Sequence, residues 1–235
     1  MSSHPASTVM ITGAAGNLGR AVAQAFAERG ARLVLVDLKP ESLAQAFGAP
    51  DERRLLCPCN LLDPAQVEAA VQRAIAQFGR IDVLCNLAGG FAMGTPVHET
   101  ADARFDFLFD LNVRTLLHTA RAVVPGMIAG GGGRIVNVGA FGAQKGAALM
   151  GAYGAAKAGV ARLTEAMSAE LREQRINVNA VLPTIIDTPE NRTAMPDADP
   201  ARWVAPADLA QVIVFLASDA ARAVHGAALP VTGLS

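Results

Sequence analysis

The stretch Thr12-Gly-Ala-Ala-Gly-Asn-Leu-Gly19 lies between an apolar run of strand character and an Ala-rich segment of helical period. A glycine-rich turn that ends a strand and opens a helix is typical of the first unit of a dinucleotide-binding fold. Within it, Gly13 permits the tight turn, Gly16 lets a pyrophosphate approach the backbone, and Gly19 allows the helix to pack closely on the sheet. The sequence therefore predicts a cofactor site at this turn.

Asn17 and Leu18 open the helix that follows the turn. The first backbone N–H groups of a helix have no partner within it, and the helix dipole is positive at this end, so both features favour a bound phosphate. We include Asn17 and Leu18 in the predicted cofactor site. A purely structural turn is the alternative interpretation of the same glycines.

Outward from this turn, short apolar or β-branched runs alternate with longer Ala-rich segments of helical period. This alternation is typical of right-handed strand–helix crossovers around a parallel sheet. The sequence predicts an α/β fold, a single Rossmann-type domain over residues 1–235, with a doubly wound parallel sheet of about seven strands flanked by helices. The expected strands are 8–12, 32–37, 54–59, 81–86, 133–138, 176–182 and 227–231, and the expected helices are 17–29, 64–78, 102–129, 152–173 and 206–218.

The one long irregular stretch, residues 184–205, is rich in Pro and Asp. A connection of this length in a compact domain is usually functional. Because such loops commonly close over a bound substrate, we predict that residues 184–205 form a lid over the substrate pocket.

Composition favours a small molecule as the partner. A net charge of −1 offers no footprint for nucleic acid or an anionic membrane, and no apolar segment reaches the roughly 18 residues that span a bilayer. Cys57, Cys59 and Cys85 have no His or Cys cluster that would complete a zinc site, so no metal is expected. Reduced core thiols, and the lack of a secretory signal in residues 1–8, favour a cytoplasmic protein.

Asp37 ends the second expected strand, about 20 residues beyond the glycine-rich turn. A carboxylate there can accept hydrogen bonds from the adenosine ribose hydroxyls, whereas a 2′-phosphate would face like charge. Gly16 and Leu38 supply no cation to offset that charge, and Arg20 and Lys39 do not overturn this preference. NAD(H) is therefore the preferred cofactor and NADP(H) the less favoured one; the alternative for Asp37 is a solvated residue at a strand end.

Tyr153, the only tyrosine, stands four residues before Lys157, after the fifth expected strand. On a helix, that spacing places both side chains on one face, where both can reach a nicotinamide ribose. A nearby ammonium stabilises tyrosinate and so lowers the phenol pKa from about 10 toward neutrality. We predict that Tyr153 and Lys157 are catalytic and also contact the cofactor; the alternative is a core tyrosine beside a solvated lysine.

The order of these motifs resembles that of the short-chain dehydrogenase/reductase family over nearly the whole chain. The resemblance implies an oxidoreductase that binds a nicotinamide dinucleotide and forms a homodimer or homotetramer, with helices 102–129 and 152–173 at one interface. It also implies that Asn112 holds a water that links Lys157 to solvent; the alternative is a polar residue that the helix merely tolerates. Further cofactor contacts are implied for Asn60, Leu61, Asn86, Ala88, Gly89, Pro183 and Thr188.

One position departs from the family. Ala140 stands thirteen residues before Tyr153, where relatives normally carry a catalytic serine. A methyl group neither donates nor accepts a hydrogen bond, and the loss of one preorganised donor to a developing oxyanion costs on the order of 10²–10³ in rate. A simple ketone or alcohol is therefore expected to be a poor substrate, unless Gln144 or Lys145 replaces the hydroxyl.

The dihydropteridine reductases of that family also pair a Tyr-x-x-x-Lys with no catalytic serine. Segments similar to theirs are the spacing of the three glycines in 13–19, residues 88–94, 150–157 and 182–199, and Trp203. Phe91 matches a position where those enzymes carry an aromatic ring beside a flat substrate, and the alternative is a core residue. A quinonoid acceptor spreads arriving charge over a conjugated ring, so it depends less on a focused oxyanion donor.

Together these observations predict an NADH-dependent oxidoreductase that transfers hydride to a conjugated acceptor, such as a quinonoid dihydropterin, a quinone or an activated carbonyl. Phe91, Ala140 and Tyr153 would surround that acceptor. A general alcohol or ketone dehydrogenase, of the 3-oxoacyl or carbonyl reductase type, is the nearest alternative. A second alternative is a dinucleotide-binding regulator that has lost catalysis.

Overall fold

The computed structural model describes residues 7–235. Its strands are β1 (Thr8–Thr12), β2 (Arg32–Asp37), β3 (Arg54–Pro58), β4 (Val83–Asn86), β5 (Gly133–Val138), β6 (Ile176–Pro183) and β7 (Ala228–Val231). They form one sheet in the order β3-β2-β1-β4-β5-β6-β7, in which every neighbouring pair is parallel. The predicted sheet is confirmed. Residues 1–6, in which no secretory signal is predicted, lie outside the described residues.

Helices connect the strands on both faces of the sheet. They are α1 (Asn17–Ala27), α2 (Pro40–Phe47), α3 (Pro64–Phe78), α4 (Asp102–Phe109), α5 (Thr115–Ala129), α6 (Gly151–Leu171), α7 (Pro189–Ala194) and α8 (Pro206–Leu216). The predictions for α1, α3, α6 and α8 agree with the structure to within about two residues at each end, the usual uncertainty of helix boundaries. In the part of the chain that is described, no helix is both long and apolar enough to cross a bilayer.

The prediction of one continuous helix over 102–129 is wrong at its centre. Asp110–Arg114 forms a π-helical turn between α4 and α5. The cause is Asn112, whose side-chain Nδ2 donates to the carbonyl oxygen of Leu108 at 2.9 Å. In an α-helix the backbone N–H of residue 112 would bond to that oxygen, so the side chain competes with the helix ladder and widens the turn.

Two helices escaped prediction because each is short and begins with proline. Pro40 opens α2, and Pro189 opens α7 within the stretch predicted to be irregular. Proline favours the first position of a helix, where its missing N–H leaves no hydrogen bond unmade. In α7, the hydroxyl of Thr188 also accepts the backbone N–H of Asn191 at 3.2 Å, which caps the helix.

Each face of the sheet carries its own apolar core. On one face, α1 and α8 pack together over the sheet, with Phe26 and Ile213 buried between them. On the other face, α3 and α5 bury Val71 and Met127. Covering both faces leaves the carboxyl edge of the strands as the accessible place for a ligand, next to the point between β1 and β4 where the strand order reverses.

A buried chain of polar side chains ties the centre of the sheet to its flanking helices. The hydroxyl of Thr119 donates to Asn86 Oδ1 at 2.7 Å, and Asn86 Nδ2 donates to Asn137 Oδ1 at 2.9 Å. Asn137 Nδ2 in turn donates to the hydroxyl of Thr164 at 2.9 Å. Because each of these buried groups has a partner, the network holds β4 and β5 against α5 and α6 at little desolvation cost.

The three cysteines are free thiols in the core. Burial raises the pKa of each of them, so Cys57, Cys59 and Cys85 stay protonated at neutral pH. Within residues 7–235, no group of three or more His, Cys, Asp or Glu side chains is arranged to hold a metal ion.

Gly19→Ala should destabilise the protein, because a Cβ on Gly19 would lie 2.2 Å from the carbonyl oxygen of Gly13 and 2.5 Å from that of Ala14. We expect the free energy of unfolding to fall by about 1–3 kcal/mol as the backbone shifts. Urea denaturation measures this change. The matched control is Gly126→Ala in α5, where an added Cβ meets nothing within 4 Å; equal losses in the two variants would contradict the packing argument.

Candidate active site

A cleft of about 620 Å³ opens at the carboxyl edge of the sheet, and this volume is typical of cofactor sites. Elements from both ends of the chain border it, because the segments that follow β1 to β4 meet there with Ile186 and Thr188, which belong to the stretch 184–205 that is predicted to be a lid. The cleft brings together eleven residues predicted to bind the cofactor: Gly13, Gly16, Asn17, Leu18, Gly19, Asp37, Asn60, Leu61, Ala88, Gly89 and Thr188.

The floor of the cleft is set by a close approach of two loops. Gly13 has φ of +63°, and a Cβ there would lie 3.0 Å from the Cα and N atoms of Ala88. The hydroxyl oxygen of Thr12 accepts the backbone N–H groups of Leu87 and Ala88 at 3.0 and 3.1 Å. Glycine at 13 and a hydroxyl at 12 therefore hold the turn after β1 against the end of β4.

The start of α1 fits the phosphates of a dinucleotide. Gly16 is the capping residue, no side chain bonds the first amide groups, and the first turn contains no acidic residue. Gly19 lies directly over the turn, where any larger side chain would collide with backbone oxygens. Unpaired N–H groups at the positive end of a helix attract anions, so this wall of the cleft suits a pyrophosphate.

The carboxylate of Asp37 is fixed at the end of β2. Its Oδ2 accepts the backbone N–H of Ala15 at 3.0 Å, and its Oδ1 accepts that of Leu38 at 2.8 Å. A carboxylate has about four acceptor positions, so lone pairs remain for the hydroxyls of a ribose. Asp37 therefore both anchors the glycine-rich turn and presents negative charge to the cleft.

Two residues predicted to serve the chemistry, Asn112 and Lys157, meet below Gly89. A Cβ on Gly89 would lie 2.8 Å from Asn112 Oδ1 and 3.1 Å from Lys157 Nζ, so only glycine permits this approach. Asn112 Oδ1 accepts the N–H of Gly90, and its Nδ2 donates to the carbonyl oxygen of Gly90, each at 3.1 Å. The buried ammonium of Lys157 donates to the carbonyl oxygen of Val138 at 2.9 Å.

Burial shifts the pKa values of Tyr153 and Lys157 in the directions that disfavour their charged forms. It raises the pKa of Tyr153 to about 12 and lowers the pKa of Lys157 to about 8. The sequence-based expectation that the ammonium lowers the pKa of Tyr153 is therefore wrong for this structure, because desolvation of the phenol dominates. Of these two groups, Lys157 therefore has the pKa closer to neutral pH.

Phe91 and Tyr153 contact each other edge to face, with ring centroids 4.9 Å apart and an interplanar angle of 81°. The ring of Phe91 is 59% exposed, so the interpretation of Phe91 as a core residue is wrong. Beside Tyr153 lies a crevice of about 20 Å³, which has room for about one water molecule, and Arg104 of α4 is the cationic residue that lines it. Arg104 was not identified from the sequence.

Ala140 is buried at the end of the segment that follows β5. Its carbonyl oxygen accepts the N–H of Ala143 at 3.1 Å, while its methyl group offers no hydrogen bond to a substrate. The side chains of Gln144 and Lys145, which the sequence suggests as replacements for a hydroxyl, are exposed. Of the three residues predicted to surround the acceptor, Phe91, Ala140 and Tyr153, only Tyr153 has a side-chain hydrogen-bond donor.

Comparison with known proteins identifies the family. Residues 13–233 match the model of a family described as enoyl-(acyl carrier protein) reductase. The chain is 36% identical over 234 residues to cis-4-hydroxycyclohexanecarboxylate dehydrogenase of Sinomonas cyclohexanicum, which covers 95% of this chain and 94% of that protein. The chain belongs to the short-chain dehydrogenase/reductase family. It is therefore a nicotinamide-dinucleotide-dependent oxidoreductase.

Solved structures of the family superpose on the whole fold. Carveol dehydrogenase from Mycobacterium avium in complex with NAD has a TM-score of 0.87 at 30% identity, covering 97% of this chain and 96% of that one. A 3-ketoacyl-(acyl-carrier-protein) reductase from Brucella melitensis complexed with NADH has a TM-score of 0.86 at 29% identity, covering 97% of both chains. These relatives bind nicotinamide dinucleotides in the same fold.

Four residues predicted to contact the cofactor in this short-chain dehydrogenase/reductase lie outside the cleft lining, namely Tyr153, Lys157, Asn86 and Pro183. The last two have other roles in the structure. Both ends of the Asn86 carboxamide are used in the buried network with Thr119 and Asn137. Pro183 is buried at the end of β6. Direct contact of Asn86 or Pro183 with the cofactor stays a prediction. The structure shows only the role of Asn86 in the hydrogen-bond network at the centre of the sheet.

The buried Lys157 makes stability depend on pH. Its pKa is about 8 in the folded protein against 10.5 for an ordinary lysine, so above pH 8 the unfolded chain holds a proton that the native protein has released. Stability should therefore rise with pH relative to that of the Lys157→Met variant, by up to about 3 kcal/mol between about pH 7.5 and about pH 10. Urea denaturation of both proteins measures the difference; a constant or falling difference would contradict the shift.

Proposed function

We propose that this protein transfers hydride between NAD(H) and an activated or conjugated cyclic carbonyl, with Tyr153 as the proton donor to the carbonyl oxygen. One observation carries the proposal: the rings of Tyr153 and Phe91 contact each other edge to face, while Ala140 is buried and has no hydroxyl that could share the proton donation. An acceptor that disperses its own negative charge needs only one donor, which matches what this site offers.

Tyr153, Lys157 and Asn112 have separate roles in the proposed reaction. A bound nicotinamide supplies or accepts the hydride. Tyr153, with its pKa raised by burial, remains protonated at neutral pH and donates its proton to the acceptor oxygen. Lys157, whose pKa is about 8, is the adjacent group able to restore that proton, and the carbonyl of Val138 holds its ammonium in place. Asn112 fixes Gly90 and so shapes the passage beside Lys157.

Several acceptors meet this requirement. A quinonoid dihydropterin is one, supported by the likeness of residues 88–94 and 182–199 to the dihydropteridine reductases. Quinones and carbonyls conjugated with a double bond are others, because each spreads the arriving charge. The exposed ring of Phe91 provides a flat apolar surface against which such an acceptor would lie.

A second candidate is the oxidation of simple alicyclic alcohols, as in the alternative dehydrogenase prediction. The names of a relative and of a solved neighbour, cis-4-hydroxycyclohexanecarboxylate dehydrogenase and carveol dehydrogenase, favour it. The guanidinium of Arg104 at the crevice beside Tyr153 adds a place for a carboxylate. This candidate requires a water or another side chain to act in place of the missing hydroxyl.

We further propose assembly as a homodimer or homotetramer through α4, α5 and α6. Phe105 of α4 and Leu117 and Ile128 of α5 are large apolar side chains with exposures of 43%, 43% and 41%. Leu117 and Ile128 stand close to three helical turns apart and therefore share one face of α5. A second copy of the same surface would remove this apolar area from water.

Steady-state oxidation of NADH with a panel of acceptors tests the main proposal. We expect turnover with conjugated carbonyls, quinones or quinonoid pterins to exceed turnover with matched saturated ketones by on the order of 10²-fold. Ala140→Ser should raise the rate with saturated ketones by about tenfold or more, because it adds a donor to the oxyanion. Tyr153→Phe should lower every rate by about 10²–10⁴-fold while NADH binding persists.

The outcomes separate the candidates. Equal rates with saturated and conjugated carbonyls in the wild type would favour the simple alcohol dehydrogenase. Tight NADH binding without turnover on any acceptor would favour a regulator that has lost catalysis.

Asp37 should decide the cofactor preference. Its carboxylate is held in place by Ala15 and Leu38 and would repel a 2′-phosphate. We expect NADH to be preferred over NADPH, and Asp37→Ser to reduce the ratio of the two kcat/KM values by at least about tenfold. Titration of NADH and NADPH fluorescence gives the binding constants alongside; a ratio that does not respond to this substitution would rule out Asp37 as the discriminator.

A further inference from the structure

The lid is a preassembled unit with a closed base. A parallel bridge joins Ile186 to Val204, and the N–H of Asp187 donates to the carbonyl oxygen of Val204 at 2.8 Å. Inside the lid, the guanidinium of Arg192 donates to both oxygens of Asp187 at 2.6 and 2.7 Å, and Asn191 Nδ2 donates to the carbonyl oxygen of Ile186 at 2.8 Å. These bonds hold α7 to the base, so α7 moves with the lid.

Few hydrogen bonds attach this unit to the rest of the domain. Within residues 7–235, lid residues 184–205 hydrogen bond to the rest of the domain at their two ends, through Thr184 and Ala205. Between these ends, and within the same described residues, only Glu190 and Arg202 do so. Arg202 bonds to the backbone of Leu234 close to the base of the lid. Glu190 is the attachment at the α7 end, where the lid meets the cofactor cleft.

The partner of Glu190 is the first residue of the glycine-rich helix. Asn17 Nδ2 donates to Glu190 Oε2 at 2.8 Å, and the guanidinium of Arg20 donates to Asn17 Oδ1 at 2.7 Å. Asn17 and Thr188, which stands two residues before Glu190, both line the cleft. The bond therefore joins the lid to the start of α1, where phosphates are expected.

Glu190 is also coupled to Thr188, which is predicted to contact the nicotinamide side of the cofactor. Hydrogen bonds from its own backbone amide and from the Thr188 hydroxyl hold the pKa of Glu190 below its usual range, with Asn17 contributing less. The carboxylate is therefore charged at neutral pH. The hydroxyl of Thr188 accepts the backbone N–H of Asn191 at 3.2 Å, so Thr188 caps the same short helix that carries Glu190.

We propose that Asn17 and Glu190 form a latch that holds the lid against the glycine-rich helix, positions Thr188, and slows exchange of the dinucleotide. The inference rests on the proposed binding of NAD(H) in this cleft. Glu190 is a positioning residue in this account, because it acts through the lid and Thr188 rather than on the reacting atoms. Opening the latch frees the lid to lift about its Ile186–Val204 base.

Two measurements on Glu190→Ala test the latch. The first uses Trp203, the only tryptophan, which is buried near the lid base and reports on the lid through acrylamide quenching in the absence of cofactor. We expect quenching to increase. The second is the rate of NADH release by stopped-flow fluorescence, which should rise about threefold to fivefold, as expected for loss of one exposed hydrogen bond to a charged group.

A double-mutant cycle and a conservative variant identify the bond itself. Asn17→Ala should speed NADH release by a similar factor, and the double variant should release NADH no faster than either single variant. Glu190→Gln keeps an acceptor for Asn17 and should release NADH at close to the wild-type rate. The matched control is Glu28→Ala, which removes an equally exposed bond of 2.8 Å to Gln24 on the same helix and should change neither measurement.

The latch would be overturned if NADH left the Glu190→Ala variant no faster than the Glu28→Ala variant. It would also be overturned if the double variant released NADH at a rate raised by the product of the two single-variant factors. If the wild-type protein does not bind NADH, the proposed function is overturned instead. Acrylamide quenching of Trp203 in the absence of cofactor would still decide whether Glu190 holds the lid.

Discussion

The hydroxyl oxygen of Thr12 accepts two backbone N–H groups from the segment after β4, and the rest of the site depends on this junction. It brings the turn after β1 so close to Ala88 that residue 13 has to be glycine. The start of α1 and Gly89, the residue after Ala88, line the same cleft, and Asn112 and Lys157 meet below Gly89. One hydroxyl at a strand end thus aligns the wall that suits phosphates with the groups that carry the chemistry.

The proposed hydride transfer follows from the few polar groups among the residues predicted to surround the acceptor. Burial keeps the phenol of Tyr153 protonated and gives Lys157 the pKa that is closer to neutral pH of these two groups. Ala140 contributes only a methyl group. Tyr153 is the one hydrogen-bond donor among the three residues predicted to surround the acceptor, and this arrangement suits an acceptor whose charge is spread over several atoms.

Much of the fold could be predicted because the sequence shows a clear apolar pattern in every strand and in the long helices. The helices α2 and α7 escaped because they are short, with eight and six residues, so that little helical periodicity accompanies the proline at the first position. The break in the helix at Asp110–Arg114 was missed for a different reason. It depends on the hydrogen bond from the Asn112 side chain to Leu108, and the apolar periodicity of the sequence carries no information on that bond. Local patterns predict elements better than they predict competition for a single hydrogen bond.

The site was predicted best where backbone geometry sets the residue type. Gly13 and Gly19 lie where the turn requires them, and Asp37 stands at the end of β2 beside the cleft. The direction of the Tyr153 pKa shift was missed because spacing shows that a lysine is near but does not show how deeply the phenol is buried. The roles of Thr12 and Glu190 likewise need the folded chain, since their partners lie 75 and 173 residues away in sequence.

The most direct test of the account is a crystal structure with NADH and an unreactive cyclic enone that stands in for the acceptor. The account predicts that the hydroxyl of Tyr153 lies within about 3 Å of the enone oxygen, with the ring against Phe91 and no second protein side chain bonded to that oxygen. A carbonyl oxygen bound instead by Gln144 or Lys145, with Tyr153 out of hydrogen-bond reach, would contradict it.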